Sequence, residues 1–566
     1  MTKRIIILSS CLFFLLALGA AQESGSGRIQ HIARELGAVA LMPDAPSGGK
    51  CGTHLVASLN EHVRSADLAT QESVRRTLSR PILQTSRVSP SGRFRIHYDT
   101  TGFNEPALLQ GNTRMPNSYS IYVDSVAAIF DYVWRVQVEQ LGYNAPPSDK
   151  GKGGGLEYDI YVVNLGGGTF GVTYWSEDDA ISTGTNQRFS TYMEIDNDYV
   201  FYRTSGLDGL RVTAAHEFHH AIQIGSYGLW TNVPQGDLYF YEMSSTWMED
   251  ILYPQVNDYV FDVPKFFRQY FGTSNRSLPF FTYDPWQYPG YERAVFLHYL
   301  AQRHGRDLVR GIWEAMAEVP FKESVHRVLT RAGSRFEAEF AQFSYWNFYT
   351  ADRALPDRYY PEGHLYPRMI QNMRATHNDF STAITSAAYP VSSQVYEFVT
   401  REDTLTAILV NVDLAEARIN SNILHSFDLR IVNSASQGAI QKLANGASGA
   451  LSVADLERWR VMYLSANSRT DIKTEAIPYP NPLRPEAHPF LRLPVNEASA
   501  VPVDVGFYSS SLDRVFAGSF PVSDSFGQPE IIIPTGHITG KLPSGVYIVA
   551  VRVDQKEYRW KVAIIQ

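Results

Sequence analysis

Apolar positions change period several times along this 566-residue chain, and each change marks a different kind of element. Residues 5–18 are continuously apolar. Residues 22–80 are polar, with helical patches such as 55–68. Alternation typical of strands then appears at 93–99 (RFRIHYD), 158–163 (YDIYVV), 166–175 (containing TFGVTYW) and 192–198 (YMEIDND). Helical spacing runs through 119–140, where Tyr122, Val126, Ile129, Phe130, Val133 and Val136 fall on one side. It returns at 209–223, 239–250, 293–303, 307–319, 322–332 and 336–352. A Pro/Gly-rich turn is predicted at 146–155 and an aromatic, Pro-rich loop at 262–288. Beyond Tyr389 only short alternating strands remain, at 395–399, 404–412, 427–432, 503–508, 531–533, 546–553 and 558–565. The pattern predicts an α+β fold class: a mixed-sheet subdomain and a helical subdomain, followed by two β-sandwich domains. The expected divisions are 1–21, 22–80, 81–389, 390–470 and 471–566.

Chemistry concentrates in the helix at 209–223, for which Asp208 or a neighbour is the candidate cap. It carries His216-Glu217-Phe218-His219-His220. Positions i and i+4 stand one above the other on a helix, about 6 Å apart along the axis. His216 and His220 can therefore take two corners of a tetrahedral zinc site. Glu217 beside them is placed to take a proton from water. His219 points elsewhere and is expected to pack. A catalytic zinc needs a third protein ligand, and the next predicted helix, 239–250, carries Glu242.

The pair HEFHHAIQ and EMSSTWMED resembles the gluzincin metallopeptidases, most closely secreted bacterial members reading H-E-F/Y-x-H-A-x-Q and then E-x-x-x-T-W-x-E-D. The resemblance implies that Glu242 is the third metal ligand beside His216 and His220, and that Glu217 is the catalytic base. Family members often have Gly after the ligand Glu and an acid four residues beyond it. Here those positions hold Met243 and Thr246, so the group that orients a ligand His falls to Glu249 or Asp250. The resemblance also implies a substrate-binding edge strand, for which 170–174 is the candidate. An oxyanion donor is expected on the helical wall, where Tyr291 is the candidate and Tyr288 and His298 are alternatives.

Composition narrows the setting. The net charge of −8 and the absence of a basic patch interleaved with aromatics argue against a nucleic-acid partner. Lys3 and Arg4, the apolar run and Gly19-Ala20-Ala21 read as a secretory signal over 1–21, and no later stretch is apolar enough to span a membrane. If Cys11 leaves with the signal, Cys51 is the one cysteine and an intrachain disulfide is impossible. Residues 22–80 resemble a propeptide, with Arg75-Arg76 and Arg80 as processing points. A thiolate from Cys51 is suited to the water position on zinc, which would keep the enzyme latent; an incidental free thiol is the alternative. Asp196-Asn197-Asp198 offers the oxygen ligands calcium prefers, without the spacing of a calcium loop.

Near the C-terminus, Tyr479-Pro480-Asn481-Pro482, Leu542-Pro543-Ser544-Gly545-Val546-Tyr547 and Lys561-Val562 resemble the sorting domain of the type IX (Por) secretion system. That implies export through the periplasm by the secretion machinery, then release or attachment at the cell surface. The expectation is a secreted zinc endopeptidase acting on proteins or peptides. Two alternatives stay open: a catalytically inactive surface adhesin built on a peptidase-like domain, and a zinc aminopeptidase.

Overall fold

The computed structural model describes residues 50–369 with breaks at 64–65, 167, 234–236, 271–277 and 285–286. It then describes 373–377, 391–400, 426–433, 443–444 and 459–466, and 478–566 with short breaks. The expected signal segment, residues 22–49, the strand at 404–412 and Tyr479-Pro480 lie outside the described residues.

Two helices lead the described residues, α1 (Thr53–Val63) and α2 (Leu68–Thr77). They belong to the stretch expected to be a propeptide, yet Leu55, Val56, Leu59, Val74 and Leu78 are buried in the same core as the elements that follow. Five strands then form one mixed sheet: β1 (Thr85–Val88), β2 (Phe94–Tyr98), β3 (Tyr158–Val163), β4 (Gly171–Tyr174) and β5 (Tyr192–Asp196). Their order is β1-β2-β3-β5-β4. β2, β3 and β5 are parallel, while β1 and β4 run antiparallel to their neighbours at the two edges. A parallel strand needs both faces covered, and YDIYVV of β3 is accordingly apolar almost throughout. One cover is α3 (Tyr119–Trp134), whose Phe130 and Trp134 rings meet Phe94 of β2 at 5.4 and 5.9 Å.

The helical half begins with α4 (Gly206–Ile222) and α5 (Leu238–Leu252). α6 (Val263–Tyr270), α7 (Ala294–His304), α8 (Arg306–Met316), α9 (Phe321–Arg331) and α10 (Phe336–Trp346) follow. α6 lies inside the expected loop 262–288; buried Val263, Phe266 and Phe267 give it the helical spacing that the surrounding aromatics and prolines obscured. α4 starts at Gly206 with Ser205 at its N-cap position. Asp208 is therefore not the cap: it lies in the first turn and pairs with Arg211 on the surface. Trp313 of α8 is fully buried against Phe240 and Tyr241 of α5, at ring distances of 4.9 and 4.8 Å, and so fixes α5 from behind.

α4 lies directly beneath the edge strand β4. A Cβ on Gly171 would stand 2.7 Å from Glu217 Cγ and 2.8 Å from Thr213 Cγ2, so only glycine lets strand and helix approach this closely. Gly171→Ala is expected to cost about 1–3 kcal/mol, the range for forcing an extra carbon into a packed interior. Urea unfolding of the two chains measures it.

The strands of the C-terminal regions are in sheets of their own. Those at Met373–His377, Ser393–Thr400, Trp459–Ala466 and Ser426–Asn433 pair in that order, all parallel, with Leu443–Ala444 antiparallel at the edge. This differs from the sandwich expected at 390–470, and the sheet starts before 390. Alternation reveals a strand but not the direction of its partner. In 478–566 two antiparallel sheets share one core, which includes Leu491, Val505, Ile531, Val549 and Val562. Among the described residues no helix is long and apolar enough to cross a membrane.

Candidate metal centre

α4 and α5 pack against each other and bring His216, His220 and Glu242 together in the interior. His216 Nε2 lies 3.1 Å from His220 Nε2 and 3.1 Å from Glu242 Oε2, and His220 Nε2 lies 3.3 Å from the same oxygen. Donors bound at zinc distances to one tetrahedral ion stand about 3.4 Å from one another. The sequence-predicted triad is thus assembled at nearly ligand spacing.

The outer nitrogens explain the ring orientations. His216 Nδ1 lies 2.7 Å from Glu249 Oε1. An ionised carboxylate only accepts, so Nδ1 donates and Nε2 turns its lone pair inward. His220 Nδ1 lies 2.7 Å from Gln223 Oε1. Gln223 Nε2 donates to Tyr241 O at 3.1 Å, which leaves Oε1 as the acceptor for Nδ1–H of His220. With both imidazoles neutral, two bare nitrogens and a carboxylate oxygen face one point. Burial opposes charge on His216, but Glu242 and Glu249 outweigh it and raise the imidazole to about 9. A single proton there satisfies one of the three contacts, whereas a divalent cation satisfies all of them. Burial would also raise Glu242, but the two histidines hold its carboxyl well below the usual range. The donor set of two imidazoles and one carboxylate fits zinc.

Of the two carboxylates expected to orient a histidine of the triad, Glu249 contacts His216 and Asp250 does not. Helical phase carries the signal: Glu249 lies two turns after Glu242 on the same face, whereas Asp250 is rotated away from it. Asp250 instead lies 3.9 Å from His298 Nδ1. Burial, with Glu362 and Glu249 adding, pushes Asp250 up to about 7. Gln223, one turn after His220, carried the same kind of signal and was missed. Glu249→Gln replaces an anionic acceptor on His216 with a neutral one. Metal affinity is expected to fall about 10–100-fold, read by competition with a chelator.

Glu217 is buried beside the triad, and Thr173 Oγ1 of β4 donates to its Oε2 at 2.7 Å. His219 faces away, as expected: its Nδ1 bonds Gln137 Oε1 at 3.0 Å, and burial pushes it well below its ordinary value. Tyr291 reaches the site from the helical wall, its ring 5.9 Å from that of His216. Burial holds its hydroxyl well above the ordinary value, so it is a neutral donor. The alternatives lie elsewhere: His298 stacks on Tyr259 at 4.6 Å, and the Tyr288 ring lies under Lys265. Asp196 and Asp198 are already engaged. The first accepts from the backbone of Leu165, Asp198 and Tyr199, and the second pairs with Arg114. Among the described residues the one group arranged to hold a metal is the triad with a fourth member, Cys51, all four buried and their ligand atoms within 4.8 Å of one another.

Comparison with curated proteins found no match to the chain. Residues 62–353, just over half of the sequence, match the profile of a family of unknown function, DUF6055, and the chain belongs to that family.

Proposed function

We propose that this protein is a secreted zinc-dependent endopeptidase in which His216, His220 and Glu242 hold the ion and Glu217 is the general base. The observation that carries the reading is the convergence of three inward-facing donors at 3.1–3.3 Å with a buried carboxylate next to them. When bound, the ion would polarise a scissile carbonyl and make water acidic enough to attack at neutral pH. Glu217 accepts the proton of the attacking water and passes it to the leaving amine. Thr173 keeps that carboxylate aimed. Tyr291 can donate to the oxygen that gains charge. β4 is a sheet edge, so an extended peptide can pair with it and lie across the triad.

The signal-like 1–21 and the C-terminal region resembling the type IX sorting domain support secretion as part of the same proposal. The test is to purify the full chain, measure its zinc content, and follow hydrolysis of an unfolded protein and of an N-terminally blocked peptide. One equivalent of zinc and cleavage of both substrates, lost with a chelator and restored by zinc, is expected. Chelator-insensitive cleavage, or a chain that neither retains zinc nor cleaves, overturns the proposal. Cleavage only of peptides with a free N-terminus would mean an aminopeptidase.

A further inference from the structure

We propose that residues Lys50–Thr53 are an autoinhibitory latch: Cys51 Sγ is the fourth ligand to the ion, in the place of the attacking water, and the backbone around it occupies the substrate edge of β4. This rests on the metal reading of the triad. Four consecutive residues touch every working part of the site. Cys51 is a free, buried thiol grouped with His216, His220 and Glu242. Phe170 N donates to Lys50 O at 2.8 Å and Gly52 N donates to Gly171 O at 3.1 Å, so the segment pairs with the start of β4 in parallel. Thr53 Oγ1 donates to Glu217 Oε2 at 3.1 Å and accepts from Thr173 N at 2.9 Å. The base is thereby occupied and the strand edge capped. Tyr291 Oη lies 3.2 Å from Cys51 N and 3.3 Å from Cys51 O, so the residue suited to an oxyanion holds the latch backbone instead.

Lys50 fixes the other end. Its buried ammonium pairs with Asp258 and with Glu249, the carboxylate that orients His216. Asp258 is held in turn by Arg203 at 2.8 Å. Gly52 is required for the close fit: a Cβ there would stand 2.6 Å from Val172 Cγ2. From Thr53 the chain continues straight into α1, so the latch is anchored by a packed helix rather than by its own contacts alone. Lys50–Thr53 precede the residues that match the family profile. Full activity then requires displacing or cutting away this segment, which opens the β4 edge, frees Glu217 and admits water; the latched full chain keeps only a residual rate.

The full chain loaded with cobalt(II) tests this without relying on turnover. A thiolate ligand gives an intense sulfur-to-cobalt charge-transfer band, which is expected in the wild-type chain and absent from Cys51→Ser. One bound cobalt without that band in the wild type overturns the latch and leaves the triad standing. No cobalt bound at all overturns the metal reading on which the latch rests. A second variant, Gly52→Val, keeps the thiol but pries the segment from β4. A tethered segment competes at an effective concentration on the order of millimolar. Cys51→Ser and Gly52→Val are therefore each expected to raise hydrolysis of an unfolded protein at least about tenfold over the full wild-type chain. Rates unchanged in both folded variants, in a chain that does cleave, also overturn the latch.

Discussion

Glu217→Gln, made in the Cys51→Ser chain, is expected to bind zinc as tightly as its parent and to hydrolyse an unfolded protein about 10²–10⁴-fold more slowly, the usual contribution of a positioned acid–base group. The substitution is nearly isosteric. The amide can keep the hydrogen bond from Thr173 Oγ1 by turning its carbonyl oxygen toward it, and the contact with α4 beneath Gly171 is preserved. What is lost is the ability to accept a proton. Glu217 takes no part in the 3.1–3.3 Å triad, so zinc content measures the fold of the site independently of turnover. A variant that cleaves at the parental rate would remove Glu217 from the mechanism. One that loses zinc would mean that its carboxylate helps hold the ion.

Glu242→Ala, made in the same Cys51→Ser chain, is the complementary case, expected to abolish zinc retention and hydrolysis together. Glu242 is the only one of the three inward donors that brings a negative charge, and it accompanies two neutral imidazoles. Its removal leaves two ligands, too few for a tight site. The expected loss of zinc affinity exceeds the roughly 10–100-fold that follows from losing an outer partner such as Glu249. Thermal unfolding gives an independent readout, because an ion that binds only the folded state stabilises it in proportion to the logarithm of its concentration. The transition of the Cys51→Ser parent should rise with added zinc, whereas that of its Glu242→Ala variant should not move. Alanine is a strong helix former, so α5 is expected to persist. Equal zinc-dependent shifts in both chains would show that the ion binds elsewhere.

How much of this was legible beforehand depends on the distance over which each feature is encoded. His216, Glu217 and His220 lie within five residues, and helical phase alone places them on a common face. Glu242 required recognition of a second motif. Glu249 over Asp250 was decidable from phase, as was Gln223 beside His220. The strands at 93–99, 158–163 and 192–198 announced themselves by alternation, though their parallel order did not. The helix at 263–270 was hidden by the aromatics and prolines around it.

Sequence by itself determined the elements whose period is local: the zinc-motif helix, its partner helix, the buried strands and the turn from an α+β half to strands alone. Only the tertiary structure decided what meets across the chain. Lys50 reaches Glu249 and Asp258 across about two hundred residues, Cys51 reaches Tyr291 and the triad, and Thr53 reaches Glu217. These contacts have no period to read. They exist because α1 is buried against the same core as the sheet, which delivers Cys51, already a candidate in the sequence, together with Lys50, Gly52 and Thr53, which the sequence left without a role, to the mouth of the site. A close approach that depends on a missing Cβ, as at Gly171 and Gly52, becomes visible only when its neighbour is in place.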